Sequence, residues 1–225
     1  LAASAEKGEM MESIFRIWSD SFADGQRIPE AFAFEKIDPR GGQKTLPASN
    51  KNPQICWSTP PEGTRSLVLI CEDFDVPADF SRANQEGVTI AADSPRTSFV
   101  HWVLVDILPD IGRLDAGTLS KGTVTRGKQG PACANGMRQG LNDYTLAFKD
   151  DPAMSGKWYG YDGPCPPWND LRVHEYQFTL YAVDFDLLPL EGCFDARDVK
   201  KCLKGHILAS ATLTGTYTLN QALKS

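Results

Sequence analysis

Four apolar runs constrain what this chain can fold into. They are SLVLICE (66–72), SFVHWVLVDI (98–107), YQFTLYAVD (176–184) and ILASATLTGTYTL (207–219). Each is rich in β-branched and aromatic residues, alternates at least in part, and is bounded by Gly, Pro or Asp, which is the pattern of β-strands. STPPEGTRS (58–66) places Pro and Gly where a turn needs them, so ICW before it and LVLIC after it are expected to pair as a hairpin. Helical signals are few. DARDVKKCLKG (195–205) starts acidic, ends basic and stops at Gly205, which predicts a helix capped by Asp195. A short helical turn is expected near Glu6 to Met11. No repeat or linker divides the chain. The expectation is one all-β domain of sandwich type over residues 1–225, with a few peripheral helices and residues 1–12 as an N-terminal extension. Residues 114–158 are polar and Gly-rich and read as one long loop insertion, of the kind that is usually functional or mobile.

Charge and cysteine content narrow the function classes. The net charge is −6 and no basic block is present, so nucleic acid is not an expected partner. The longest apolar runs are too short to span a bilayer as helices. Six cysteines (Cys56, Cys71, Cys133, Cys165, Cys193 and Cys202) contain no C-x-x-C, which disfavours a zinc knuckle or a thioredoxin-type site. The chain begins LAASAEKGE without methionine, as a processed mature end does. With the even cysteine count this points to a periplasmic or secreted protein; a cytoplasmic protein with six inert thiols is the alternative. Cys193 with Cys202, and Cys133 with Cys165, are candidate disulfides. The first pair requires Cys193 to fold back over the helix, or the helix to start late, because the rise along a straight helix exceeds bridging distance.

Common catalytic motifs fail on inspection. GTLSKGTV lacks the Lys-Ser/Thr pair of a phosphate loop, HEYQF has Phe178 where a zinc protease needs its second histidine, and neither G-x-S-x-G nor G-x-G-x-x-G occurs. What remains are three stretches that bring polar chemistry to strand ends. These are CEDFDVP with Asp73 and Asp75, SFVHWVLV with His101, and GPCPPWNDLRVHEY with His174 and Tyr176. If they converge, two imidazoles and a tyrosine hydroxyl can donate to an anion, and Asp73 can orient one imidazole and raise its proton affinity. The prolines would shape the pocket in advance, and the Pro-Pro step admits a cis bond. Taken singly, the same residues read as a satisfied core histidine, a turn carboxylate and ordinary packing.

Together the three stretches resemble the phosphatidylethanolamine-binding protein family, in its bacterial Raf kinase inhibitor-like branch. DFDVP matches its D-P-D-x-P, VHWVLV its strand histidine, and GPCPPWNDLRVHEY its G-P-x-P-P followed by H-x-Y. SDSFADGQRIPEAFAF, NKNPQICWSTPPEGTRSLVLIC, MRQGLNDYT and GHILASATLTGTY extend the likeness in order from about Ile14 to Tyr217. The resemblance implies a β-sandwich and a non-enzymatic binding protein with a small preformed pocket for phosphate or phosphorylated (phospholipid) head groups, acting on a partner kinase or protease. It implies no cofactor and no metal. A protein partner and a homodimer are further expectations. Carried across by motif, the ligand-binding residues are Asp73, His101, Gly163, Pro166, Pro167, His174 and Tyr176. Alternation should turn Trp102 away from His101 and into the core. Three departures stand out. Phe74 replaces a proline, Trp168 replaces a glycine at the rim, and Lys121, Arg126, Lys128 and Arg138 make the long loop basic. The competing function is an enzyme acting on a phosphoester, with His101, His174 and Asp73 as a metal site or an acid–base pair.

Overall fold

A computed structural model describes residues 14–41 and 44–223. The helical turn expected near Glu6 to Met11 and the 1–12 extension lie outside the described residues. Among the described residues eleven strands form three sheets. The largest has six strands, β2 (Gln26–Arg27), β6 (Ser66–Pro77), β7 (Arg96–Ile107), β9 (Arg138–Gln139), β10 (His174–Val183) and β11 (Ile207–Tyr217), in the order β2-β11-β10-β6-β7-β9. A second sheet joins β1 (Ile17–Trp18), β5 (Ile55–Trp57) and β8 (Arg113–Leu114), and β3 (Glu35–Ile37) pairs with β4 (Thr45–Pro47). Only β2 and β11 run parallel. The helices are α1 (Tyr144–Ala147), α2 (Ala196–Cys202) and short 3-10 turns.

The four apolar runs become the four long strands, and their register explains their composition. In β6, Leu67, Leu69 and Cys71 face the core shared with the small sheet, alongside Ile55, Trp57, Phe178 and Leu180. The alternate residues Val68 and Ile70 face the other way, against Phe194, Val199 and Leu203 around α2. Both faces of the central strands are therefore covered, so SLVLIC is continuously apolar rather than amphipathic. β11 lies further out and shows the mixed burial of a half-exposed strand. Asp195 caps α2 with a full capping box, accepting from the Arg197 and Asp198 backbone while the Asp198 side chain returns to the Asp195 amide.

The expected hairpin between ICW and LVLIC does not form. Both edges of β5 are taken, by Ile17 and Trp18 on one side and Arg113 and Leu114 on the other. The turn itself is present, with Thr64 bonded to the Pro61 carbonyl, but it carries the chain from the small sheet to the large one. The segment 114–158 is also less of a loop than expected. It supplies β9 as an edge strand of the large sheet and the helix α1. Its first part is pinned by Asn52, whose Oδ1 accepts from the Leu119 and Ser120 amides at 3.0 Å each. Two of the four basic residues singled out from the sequence are spent internally: Lys128 pairs with Asp162, and Arg138 with Asp106.

All six cysteines are free thiols, so neither candidate disulfide is formed. Cys193 instead accepts from Tyr159 Oη at 2.9 Å and Lys157 Nζ at 3.1 Å, while Cys202 packs with the cluster around α2. Cys133 and Cys165 both border the main core. The peptide between Pro166 and Pro167 is trans; the cis bond lies between Gly130 and Pro131.

Candidate functional site

Three neighbouring strands place the site. Tyr176 on β10 pairs with Asp73 on β6, which pairs with Phe99 on β7, so all three side chains stand in one row on one face. His174, two residues before Tyr176, shares that face. His101, two residues after Phe99, falls on it as well and sits at a β-bulge. Trp102 lies opposite Cys71 and Val100 opposite Glu72, which leaves His101 as the extra residue on β7. The bulge resets the alternation. Trp102 therefore points to the same inner face as Cys71 and Phe178, where it is fully buried and donates to Gln139 Oε1. It is core, as expected, but the expected reason was wrong.

Between this row and the GPCPP segment lies a pocket of about 280 Å³. Asp73, His101, Pro166, Pro167, His174 and Tyr176 all line it, as the sequence suggested. Its walls are largely aromatic, from Phe34, Phe80, Phe99, Tyr144 and Phe148, and Glu35, Asn84 and Cys165 add polar groups. Gly163 does not line the pocket. Its amide donates to Asn50 Oδ1, its carbonyl accepts from the Tyr144 hydroxyl, and a Cβ there would collide with the Phe32 carbonyl oxygen. It is a close-approach glycine that lets the segment seat against Phe32. Trp168 stands away from the pocket. Its amide bonds Asn84, and its ring lies under Lys44 at 5.0 Å.

His174 is not a free anion donor. Nδ1 donates to Asp73 at 2.7 Å and Nε2 donates to Asp170 at 3.1 Å, with the ring fully buried. Burial opposes its charge, but the bonds to Asp170 and Asp73 prevail and lift it to about 9, so it is an imidazolium with no proton left to offer. Asp170 is likewise held at about 2: burial raises it, but His174, Arg96 and the Arg172 amide outweigh that. Arg96 forks onto both Asp170 oxygens, at 2.5 and 3.1 Å. The corner at Phe74 is firm rather than loose, because Asp73 accepts from the Asp75 amide at 2.7 Å and Asp75 is held by Arg172 at 2.5 Å. Phe74 itself faces outward.

His101 behaves differently. Its Nδ1 donates to the Asp162 carbonyl at 2.8 Å. Burial pushes its proton affinity down, against the pull of Asp73 and the backbone carbonyls of Asp162 and Gly163. Its ring meets Tyr176 edge-on at 5.1 Å. The Tyr176 hydroxyl is buried and makes no hydrogen bond within distance and angle limits, but Asp73 lies close enough that its charge and a weak contact with the hydroxyl add to burial in raising it well above the ordinary phenol. A buried hydroxyl without a well-formed bond is costly, so this one is open to a water or a ligand in the pocket.

A buried hub fixes this arrangement. The Asp162 carboxylate is fully buried and accepts from Asn50 at 2.7 Å, from Asn142 at 2.9 Å and from Lys128. Burial outweighs these contacts and leaves its affinity for a proton raised. The Asp162 amide also donates to the His101 carbonyl, and the Asp162 carbonyl accepts from His101 Nδ1. Sequence reasoning passed over Asp162, Asn50 and Asn142, and read Lys128 as a surface cation. Asn142 sits in the LNDYT motif and Asp162 directly precedes GPCPP, so the motifs were in view without their role. His101, His174 and Asp73 do not converge as metal ligands, and among the described residues no group of three or more His, Cys, Asp or Glu is placed to hold a metal ion. Among the described residues no helix is long and apolar enough to cross a membrane.

Comparison with known proteins agrees with this geometry. A family model described as phosphatidylethanolamine-binding protein matches residues 18–218. A UPF0098 protein of Methanothermobacter thermautotrophicus is 32% identical over 202 residues, covering 88% of this chain and 94% of that one. The UPF0098 protein YbcL of Escherichia coli is 26% identical, covering 91% and 88%. Among solved structures, Escherichia coli YbcL, described as a new member of the mammalian PEBP family, superposes with a TM-score of 0.63 at 23% identity over 92% of this chain and 99% of that one. A phosphatidylethanolamine-binding protein homologue of Chlamydia trachomatis, CT736, gives 0.59 at 25% identity over 92% and 98%.

Proposed function

This chain belongs to the phosphatidylethanolamine-binding protein family, and from that premise we propose that it is a binding protein whose pocket takes a small phosphorylated head group. The observation that carries the reading is the unpartnered, buried Tyr176 hydroxyl beside His101 on the floor of the pocket. A phosphoryl oxygen placed there accepts from Tyr176 and satisfies it. The aromatic walls suit the organic part of the ligand, and Phe80, 54% exposed, gives the pocket an apolar edge. Binding rather than catalysis is supported by the histidines. His174 has both nitrogens committed to carboxylates, so it cannot pass a proton onward, and His101 has Nδ1 committed to a carbonyl.

Titration calorimetry with phosphoethanolamine tests this. Tyr176→Phe removes the one unengaged hydroxyl and should weaken binding about tenfold, the value of one hydrogen bond to a charged acceptor. His101→Ala should weaken it further. Unchanged affinity in both variants rejects the pocket as the binding site.

A further inference from the structure

We propose that the pocket selects the singly charged, protonated form of a phosphate monoester, which brings its own O–H to Nε2 of a neutral His101 while accepting from Tyr176. The inference rests on the binding reading above and adds the ligand's protonation state.

The Asp162 carbonyl can only accept, so Nδ1 of His101 carries a proton, and burial, the largest influence on the ring, disfavours a second one on Nε2, which keeps its lone pair. Asp73 takes protons from His174 and the Asp75 amide and offers the pocket only further acceptor sites. Glu35 is a second lining carboxylate. No lysine or arginine lines the pocket. The nearby cations are already paired, Arg96 with Asp170, Arg172 with Asp75 and Lys128 with Asp162. Among the described residues that line the pocket, Tyr176 carries the buried donor that makes no hydrogen bond within distance and angle limits. A dianion would meet the Asp73 and Glu35 carboxylates with only the His174 imidazolium, already bonded to Asp73 and Asp170, to offset the repulsion; a monoanion carries one charge less and supplies a donor of its own.

Asp73 on β6 favours a charged ring, the His174 imidazolium on β10 opposes it, and burial opposes it most. Tyr176 and Tyr144 present ring edges, and Cys165 has its thiol pushed well up by burial and by Glu35, so neither titrates near neutrality. The proton therefore arrives on the ligand.

The experiment is calorimetry from pH 5 to 8 with two probes, methyl phosphate, whose second ionisation falls near pH 6, and dimethyl phosphate, which stays a monoanion without an O–H. Methyl phosphate should bind roughly 100-fold more weakly at pH 8 than at pH 5, following its monoanion fraction. Dimethyl phosphate should bind more weakly than methyl phosphate at pH 5 and show no trend with pH. If dimethyl phosphate shows the same decline, the proton belongs to His101 and the inference is wrong. Methyl phosphate affinity that is flat or rises with pH overturns it as well. Absence of binding by either probe at every pH would instead remove the binding reading on which it rests.

Discussion

Raising the pH from 7 to 10 should remove the proton that holds His174 between Asp73 and Asp170. The ring titrates at about 9 in the fold, against an ordinary value near 6.5 in the unfolded chain. A raised folded value means that the stabilisation is complete below the unfolded value and disappears as pH rises through the folded one. The full difference corresponds to about 3 kcal/mol, of which about 2.5 kcal/mol is present at pH 7 and nearly none at pH 10. His174 is fully buried, so solvent screening does not reduce this figure much. Other side chains titrate in the same range, so the informative quantity is a difference. Urea unfolding followed by tryptophan fluorescence would compare the wild type with His174→Gln at each pH. The stability gap between them should shrink by about 2.5 kcal/mol from pH 7 to pH 10. A gap that stays constant would show that the imidazole is neutral at pH 7, and would refute the description of its two carboxylate partners as ionic.

Three further outcomes follow from the same geometry. Lys128→Met strands the buried Asp162 carboxylate and should cost about 3–5 kcal/mol in urea unfolding, with part of the loss recovered by adding Asp162→Asn. Gly163→Ala forces a methyl group against the Phe32 carbonyl and should lower stability by about 1–3 kcal/mol, read as a drop in Tm. The Cys193 thiol is held below its ordinary range by hydrogen bonds from Tyr159 and Lys157, so iodoacetamide should alkylate it before the other five cysteines near neutral pH, and Tyr159→Phe should slow that reaction.

The strands and the residues of the pocket were legible because both depend on local pattern. Apolar runs of β-branched residues can hardly be anything but strands here, and Asp73, His101, His174 and Tyr176 sit at strand positions whose facing follows from alternation. What could not be read depends on partners far away in sequence. β5 looked like half of a hairpin until β1 and β8 occupied both its edges. Trp102 was assigned to the wrong face because one extra residue in β7 resets the alternation, and sequence gives no mark of that bulge. His174 seemed a donor for a ligand because nothing in the sequence marked Asp170, four residues earlier, as its second carboxylate partner. Lys128 and Asp162 are 34 positions apart and meet only when 114–158 folds onto the segment before GPCPP. The cysteines were paired by count and proximity, whereas each thiol is occupied by its own surroundings.

The central claim is that a phosphoryl group sits between His101 and Tyr176, and a crystal structure of the chain with phosphoethanolamine tests it most directly. The phosphoryl oxygens should lie within hydrogen-bond reach of the Tyr176 hydroxyl and His101 Nε2, with His174 still bridging Asp73 and Asp170. A phosphoryl group bound elsewhere, such as the cleft beside Lys44 and Trp168, with Tyr176 still unpartnered, would contradict it.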